Sequence, residues 1–274
     1  MPELPEAETI VRDLQHRLPG STVIRVHVTH HDVLHTGLTG RVLDRRLRGR
    51  RIAGISRRGK NVVLEFDAGL RLVINLGMTG RVVVNDAARA KELRHVAVRL
   101  DLDDGRAVLY DDARRFGDLD LRDDAGWAER EAQLGVEPLS DDFTAERLHT
   151  LTRASISPVR NWLLDQRRVA GIGNIYALEA LFRAGVRPSR RARTLRRRES
   201  ALLRDALRDV LRESIAARGT TISDYRDASG ERGSFGARLR VYDRAGLPCT
   251  TCGTAIKRAV LSNRSAFYCP SCQK

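Results

Sequence analysis

The chain opens Met-Pro-Glu-Leu-Pro-Glu, so removal of Met1, which a small penultimate residue permits, would leave Pro2 as a free secondary amine beside Glu3 and Glu6. An α-amino group titrates near 8, against about 10.4 for a lysine, and a usable neutral fraction survives at neutral pH without heavy desolvation. Attack of that amine on a sugar C1′ forms an iminium. Because the amine is secondary, the iminium keeps a fixed positive charge, an electron sink for later loss of phosphate from adjacent carbons. One neighbouring carboxylate could protonate the departing ring oxygen or shuttle protons in elimination, and the other could orient the amine. Taken alone, the terminus is weak support, because most chain ends are simply ragged.

A second chemistry-bearing group lies at the other end. Cys249, Cys252, Cys269 and Cys272 are the chain's four cysteines, spaced as C-x2-C, a sixteen-residue loop and C-x2-C. Two such pairs place four thiolates around one zinc ion, and with no open ligand position the ion is structural. Two disulfides would need an oxidising compartment, and residues 1–20 contain no apolar segment of a secretory signal. The enclosed loop carries Lys257, Arg258 and Arg264 with Phe267 and Tyr268, so the metal is expected to hold basic side chains up to a partner.

Three further motifs have both a chemical and a plainer reading. Arg57-Arg58-Gly59-Lys60 could aim Lys60 at a phosphate or base, or be an exposed basic turn. Gly171-Ile172-Gly173-Asn174-Ile175-Tyr176 could lead into a helix whose first N–H groups and Asn174 bind phosphate. It lacks the preceding strand and third glycine of a dinucleotide fingerprint, which excludes a Rossmann site. Leu76-Gly77-Met78-Thr79-Gly80 and Arg114-Arg115-Phe116-Gly117 could enter a duplex and fill the space of an extruded base, or Met78 and Phe116 could be ordinary core.

The elements that must position these groups follow from periodicity. Ala7, Ile10, Val11, Leu14 and Leu18 recur at helical spacing behind Pro5. Short β-branched runs follow at 23–28, 62–66, 72–76, 82–84, 96–100 and 107–110, separated by turns and spaced for an antiparallel sandwich. Residues 135–142 hold proline and capping residues without periodicity and predict a linker, bounded at 136–145. Beyond it, Ser157 is expected to cap a helix with Pro158 first, 174–184 forms another, and Leu203, Leu207, Val210, Leu211 and Ile215 stripe a third. The arginine-rich tract 187–198 is expected as a solvated connector. The fold class is α+β, with parts at 1–135, 146–239 and 240–274.

Net charge is +14, unevenly spread: residues 1–140 hold 23 Lys and Arg against 22 Asp and Glu, whereas 141–274 hold 26 against 13. A half-chain this basic points to a polyanion, nucleic acid first. An arginine habit, 45 Arg to 4 Lys, explains which cation is used but not the imbalance. No run of about 18 apolar residues could span a bilayer, and a cytoplasmic, nucleoid-associated protein is expected.

Together the Pro-Glu-Leu-Pro-Glu start, Lys60, Leu-Gly-Met-Thr-Gly, Arg-Arg-Phe-Gly, Gly-Ile-Gly-Asn-Ile-Tyr and the four-cysteine finger resemble the formamidopyrimidine-DNA glycosylases, helix-two-turn-helix enzymes of base-excision repair, from end to end. The resemblance implies an N-terminal β-sandwich with a terminal helix, then a helical helix-two-turn-helix domain and a zinc finger. Pro2 becomes the nucleophile, Glu3 its acid and proton shuttle, and Lys60 a second catalytic basic residue. Glu6 supports the terminus, Asn174 and Arg264 grip phosphates around the lesion, and Met78, Arg114 and Phe116 fill the flipped-out gap. His95 and Lys257 are further candidates for DNA contact, and Arg264 also stands among the catalytic candidates. The implied reaction is excision of oxidised purines, 8-oxoguanine or formamidopyrimidines, from duplex DNA by a monomer, with β- and δ-elimination.

One departure is Asp112-Ala113-Arg114, where the family commonly has proline before the arginines. The related endonuclease VIII type prefers oxidised pyrimidines and typically has glycine where this chain has Leu4. A segment at 220–234 long enough to close over a flipped base favours the purine enzyme. A non-catalytic damaged-DNA-binding protein is the remaining alternative.

Overall fold

The computed structural model describes residues 2–86, 93–221, 225–228 and 230–274. The chain divides into two compact units, Met1–Ala132 with Ala217–Gly236, and Gln133–Ala216 with Ala237–Lys274. Segment 217–236, expected within the helical part at 146–239, thus joins the first unit. Three contacts explain this: Thr220 N–H donates to Glu6 at 2.7 Å, Arg218 to Asp13 at 2.6 Å, and Tyr225 and Ala228 enter the first core. Of the 220–234 segment, residues 222–224 and 229 lie outside the described residues.

The first unit holds two four-stranded antiparallel sheets. One has the order β1 (Val23–Val28), β6 (Val96–Leu102), β7 (Arg106–Asp111), β5 (Arg81–Asp86); the other runs β2 (Ile52–Arg58), β3 (Asn61–Phe66), β4 (Arg71–Asn75), β8 (Asp118–Arg122). Period-two alternation sends Val62, Leu64 and Phe66 of β3, with Leu72 and Ile74 opposite on β4, into one core. Helix α1 (Leu4–Gln15) lays Ala7, Ile10, Val11 and Leu14 on the same core, and Leu18, just past its end, follows them in. Two further helices, α2 (Gly40–Leu47) and α3 (Asp124–Ala132), complete this unit among the described residues.

In the second unit α4 (Ala145–Arg153), α5 (Val159–Leu164), α6 (Asn174–Arg183) and α7 (Arg197–Ala216) precede a two-stranded hairpin, β9 (Lys257–Leu261) and β10 (Arg264–Tyr268). The expected stripe of α7 is buried, Leu203, Leu207, Val210, Leu211 and Ile215 all facing inward. Each such side chain contributes roughly 1.5–3 kcal/mol.

Three expectations change here. Ser157 does not cap α5, since Pro158 occupies the N-cap position; the carbonyls of Arg190 and Pro188 accept the N–H groups of Val159 and Arg160 instead. That engages tract 187–198, expected as a solvated connector, and Glu199 pins it further by accepting from Arg190 and from the Arg196 N–H. Stretch 136–145, expected as a linker, is also anchored: Gly135 N–H donates to Gln166, and Val136 exchanges backbone bonds with Arg168 and Ala170.

Candidate active site and nucleic-acid interface

Glu3 is the N-cap of α1, and with Glu6 three residues on it forms a reciprocal capping box. The Glu3 N–H donates to Glu6 Oε2 at 2.7 Å, while the Glu3 carboxylate accepts from the backbone of Glu6. Pro5 sits inside the first turn, where a missing N–H costs nothing. The other oxygen of Glu6 accepts the Thr220 N–H at 2.7 Å, so one carboxylate, only 1% exposed, binds backbone donors from both ends of the first unit. Gly219 permits that approach: at φ +87°, a Cβ there would lie 3.0 Å from Glu6 Oε1. The Tyr225 hydroxyl donates to the Glu6 carbonyl at 3.4 Å; burial first, then the nearby Glu6 charge, raises its pKa and keeps it a neutral donor. Pro2 and Glu3 are buried in this setting.

Lys60 occupies the tip of the β2–β3 hairpin. Arg58 pairs with Asn61, and Gly59 at φ +59° opens the two-residue turn, the placement a II′ turn requires. Arg57, the penultimate residue of β2, donates to Glu8 of α1 at 2.9 Å, tying the hairpin to the helix that carries Glu3. Burial alone would raise the Glu8 pKa, but hydrogen bonds from Arg12 and Arg57 outweigh it and hold the carboxylate charged. A ladder of amides then runs sideways: Asn61 donates to the Arg58 carbonyl, Asn75 to Asn61 Oδ1, and the Gly77 N–H to Asn75 Oδ1, at 3.0, 3.1 and 3.0 Å. The Lys60 turn and the Met78 loop are thereby fixed to each other.

Met78 and Phe116 are not core; they are 38% and 59% exposed. Their loops abut, because a Cβ on Gly77 would sit 2.4 Å from the Phe116 carbonyl carbon. Asp112, 1% exposed, fastens them together. One oxygen accepts from the Tyr110 hydroxyl and the Gly117 N–H, both at 3.0 Å, and the other from the Thr79 hydroxyl and the Arg114 N–H. Burial, then the Asp112 charge, pushes the Tyr110 pKa up, so its hydroxyl remains a donor. Arg114 stacks over Phe116 at 4.7 Å, and the His95 backbone is held to Asp111 and Asp112 beside it. With Ala113 lacking a proline's φ restraint, this carboxylate sets the loop's shape.

Gly117 leaves no room, since a Cβ would fall 1.6 Å from the buried Tyr110 hydroxyl. Gly117→Ala is expected to cost about 1–3 kcal/mol, seen as a lowered melting temperature. Adding Tyr110→Phe, which removes the clashing oxygen, should return part of it; a double variant as unstable as the single one would refute the steric cause.

In the second unit, Asn174 is the first residue of α6 and donates to the Ser265 carbonyl of β10 at 3.0 Å, leaving its buried Oδ1 without a partner. The preceding turn is shaped by Gln166, which donates to the Leu164 and Ile172 carbonyls and accepts the Gly171 N–H. Arg264 and Lys257 are exposed on the β9–β10 hairpin, closed by Ser262 and Asn263 at φ +43° and +59°, whereas Phe267 is buried against Tyr242. Arg160, 1% exposed, donates to the carbonyls of Leu261, Arg264 and Ser265 and so fixes the hairpin's backbone. Glu179, fully buried on α6, accepts the N–H groups of Arg240, Val241 and Tyr242 where the chain enters the finger. Neither Asp112, Gln166 nor Glu179 was among the residues expected from sequence; the one visible signal is a lone carboxylate inside the apolar run of α6.

The four cysteine Sγ atoms lie within 4.8 Å of one another, with Cys249 to Cys272 at 3.9 Å and Cys252 to Cys269 at 3.5 Å. A tetrahedral zinc with bonds of about 2.3 Å needs sulfur separations of about 3.8 Å, so the cage fits. N–H groups of Thr251 and Cys272 point at Cys249 and Cys269, the outer-shell support such ligands need. The Thr254 hydroxyl, with its backbone N–H, lowers the Cys252 thiol to about 6, while Cys272 is pushed up by burial and by the neighbouring thiols. Four thiols in one cage cannot all ionise without a cation. One structural zinc ion belongs here.

Comparison with known proteins agrees along the whole chain. Residues 1–119 match the formamidopyrimidine-DNA glycosylase N-terminal domain, 134–226 its H2TH domain, and 246–274 the zinc finger found in FPG and IleRS. The formamidopyrimidine-DNA glycosylase of Chloroflexus aggregans is 43% identical over 273 residues, covering all of this chain and 98% of the relative. Its counterpart in Thermomicrobium roseum is also 43% identical, over 288 residues, covering all of this chain and 99% of that relative. Among solved structures, the MutM (Fpg) protein of Thermus thermophilus superposes with a TM-score of 0.87 at 39% identity over 99% of this chain and 98% of that one. Lactococcus lactis Fpg in complex with abasic-site DNA gives 0.91 at 30% identity over 99% of each chain. The chain belongs to the formamidopyrimidine-DNA glycosylase family.

Proposed function

We propose that this protein is a bifunctional DNA glycosylase and abasic-site lyase that excises oxidised purines from duplex DNA. The observation that carries the proposal is the seated amino terminus: Pro2 enters α1 through a buried Glu3, with Glu6 clamped by backbone donors. Once Met1 is removed, the Pro2 nitrogen attacks C1′ of the damaged nucleotide. The C1′–N bond breaks, the base leaves with the bonding pair and takes up the proton shed by the Pro2 nitrogen, and Glu3 protonates the sugar ring oxygen so that the ring opens to an iminium. Its positive charge acidifies the C2′ hydrogen; proton removal there expels the 3′ phosphate, and a second elimination expels the 5′ phosphate. Lys60 supplies positive charge at the phosphate from its hairpin tip. Glu6 touches no reacting atom and acts as a positioning residue for Glu3.

The first unit carries this chemistry. Asn174, Arg264 and Lys257 of the second grip phosphates, and Met78, Arg114 and Phe116, with His95 nearby, occupy the space of the extruded base. The zinc ion holds the finger and enters no step. Among the described residues no helix is long and apolar enough to cross a membrane, and a monomer on chromosomal DNA in the cytoplasm is the setting this reading implies.

Borohydride reduces an iminium to a stable amine, so incubation with a lesion duplex should leave a covalent protein–DNA adduct at Pro2 in the mass spectrum. DNA binding by protein with a free Pro2 but no adduct would defeat the mechanism. A mutant of Lactococcus lactis Fpg has been solved with Fapy-dG DNA and the wild type with DNA containing an oxidised pyrimidine, at 31% and 30% identity to this chain. Competing the two lesion types in one duplex context therefore decides between the purine and pyrimidine readings.

A further inference from the structure

We propose that the first unit carries a second site for nucleic-acid backbone, formed by Arg25, Arg41, Arg45 and Arg46 around α2 and remote from the Lys60 turn. It goes beyond the proposed function, which uses one duplex at one end of the unit. Two cavities flank α2 and share Arg48. One, of about 410 Å³, is lined by Arg45, Arg46, Arg48 and Arg50 with Asp123; the other, of about 440 Å³, by Arg25, Arg41, His31 and Arg48 with Asp44.

The charge here is only partly compensated: Arg48 and Arg50 face Asp44 and Asp67, and the cluster's other arginines have no such partner. Arg57, Arg58, Arg81, Arg106 and Arg122 each face a carboxylate. Arg41, Arg45 and Arg46 make no ion pair among the described residues, and Arg25 acts on Asp44 only as a nearby charge. The acidic groups nearby are already engaged. Asp44 accepts the Val26 N–H at 2.8 Å and the Arg48 guanidinium, Asp123 accepts the Gly126 N–H, and Asp67 lies 3.6 Å from Arg50.

Helix electrostatics explain only part of the cluster. Arg45 and Arg46 fall in the last turn of α2, where the dipole favours cations. Arg41 lies in the first turn, where it is disfavoured, and Arg25 comes from β1. Gathering these guanidiniums costs folding free energy, which a bound anion offsets. Arg41 and Arg45 are one helical repeat apart, a rise of about 6 Å, which suits a repeating chain of phosphates rather than one small ion.

Position separates this site from the chemistry. Strand β2 begins at Ile52, beside Arg50, and ends at Arg58, beside Gly59 and Lys60. Its seven residues span about 23 Å. Strand β4, one strand further across the same sheet, likewise starts next to Leu70, which lines the first cavity, and ends before the Met78 loop. Opposite ends of one sheet thus serve the lesion and the second segment, and the protein can hold two duplexes or two stretches of one.

The test saturates the full, zinc-loaded chain with a short duplex containing an uncleavable abasic-site analogue, then titrates a second, fluorescent, undamaged duplex in sedimentation velocity. A ternary complex is expected. Arg41→Glu with Arg45→Glu should weaken it by about tenfold or more and flatten its log–log salt slope by about two, while Arg41→Lys with Arg45→Lys keeps it. Arg25→Ser with Arg46→Ser, which leaves the first turn of α2 intact, should weaken it in the same direction. Excision from a short lesion duplex, measured separately, should stay within about twofold in every variant. The absence of a ternary complex with the unaltered chain, charge-reversed protein that still forms one, polyglutamate competing as well as DNA, or parallel loss of excision would each overturn the site. If the unaltered chain forms the ternary complex yet excises nothing, the second site stands and the glycosylase reading falls.

Discussion

Glu3→Gln is expected to lower base excision by about a hundred- to ten-thousand-fold while leaving duplex affinity within a few-fold. The amide keeps an oxygen to accept the Glu6 N–H, and Glu6 bonds to the backbone rather than the side chain of residue 3, so the helix start survives. What is lost is the proton that the ring oxygen must receive. Single-turnover excision measures the first effect, and titration with an uncleavable analogue the second. Cleavage of a preformed abasic site should fall less, since no base has to depart. A Glu3→Gln protein that removes 8-oxoguanine at nearly the parent rate would assign the proton to another group.

Removal of zinc has the next largest expected effect. Without the ion the finger must stand on a two-stranded hairpin and a small core of Val241, Cys249, Ile256, Ala266, Phe267 and Cys269 against Leu178 and Phe182 of α6. Such a hairpin is marginal by itself, whereas structural zinc in isolated fingers supplies roughly 10–16 kcal/mol. Loss of the hairpin also releases the Asn174 bond to Ser265 and the carbonyls held by Arg160. Chelation, or Cys252→Ser, should therefore reduce DNA affinity by about a hundredfold or more, restored to the chelated protein by added zinc. Metal-free protein, verified by metal analysis, that bound lesion DNA as tightly as the holo form would sink this role.

The metal cage was readable along the chain, because the cysteine spacing is unusual, and long-range polar contacts were not. The stripe of α7 and the runs that became β1, β3 and β4 show in hydrophobic period alone. Strand β2 is hidden by Gly54 and a register shift between Ile52 and Gly54, and β8 by its acidic Asp118 and Asp120. Helix α2 has so few apolar residues that its face is faint. Asp112 is beyond reach of periodicity, since it matters only once Tyr110, Thr79 and Gly117 converge on it. The contacts of 217–236 with the first unit are hidden for a related reason: its partners, Asp13 and Glu6, lie more than 200 positions away.

That separation also bears on how the protein matures. The bond sealing the amino terminus joins Glu6 to a backbone group 214 residues later. At about 5–20 residues per second, a ribosome takes roughly 10–40 s to deliver it. Throughout that interval the first turn of α1 lacks the contact that Glu6 makes with Thr220 in the finished fold. Chain order thus leaves the amino-terminal helix incompletely held until synthesis is nearly over.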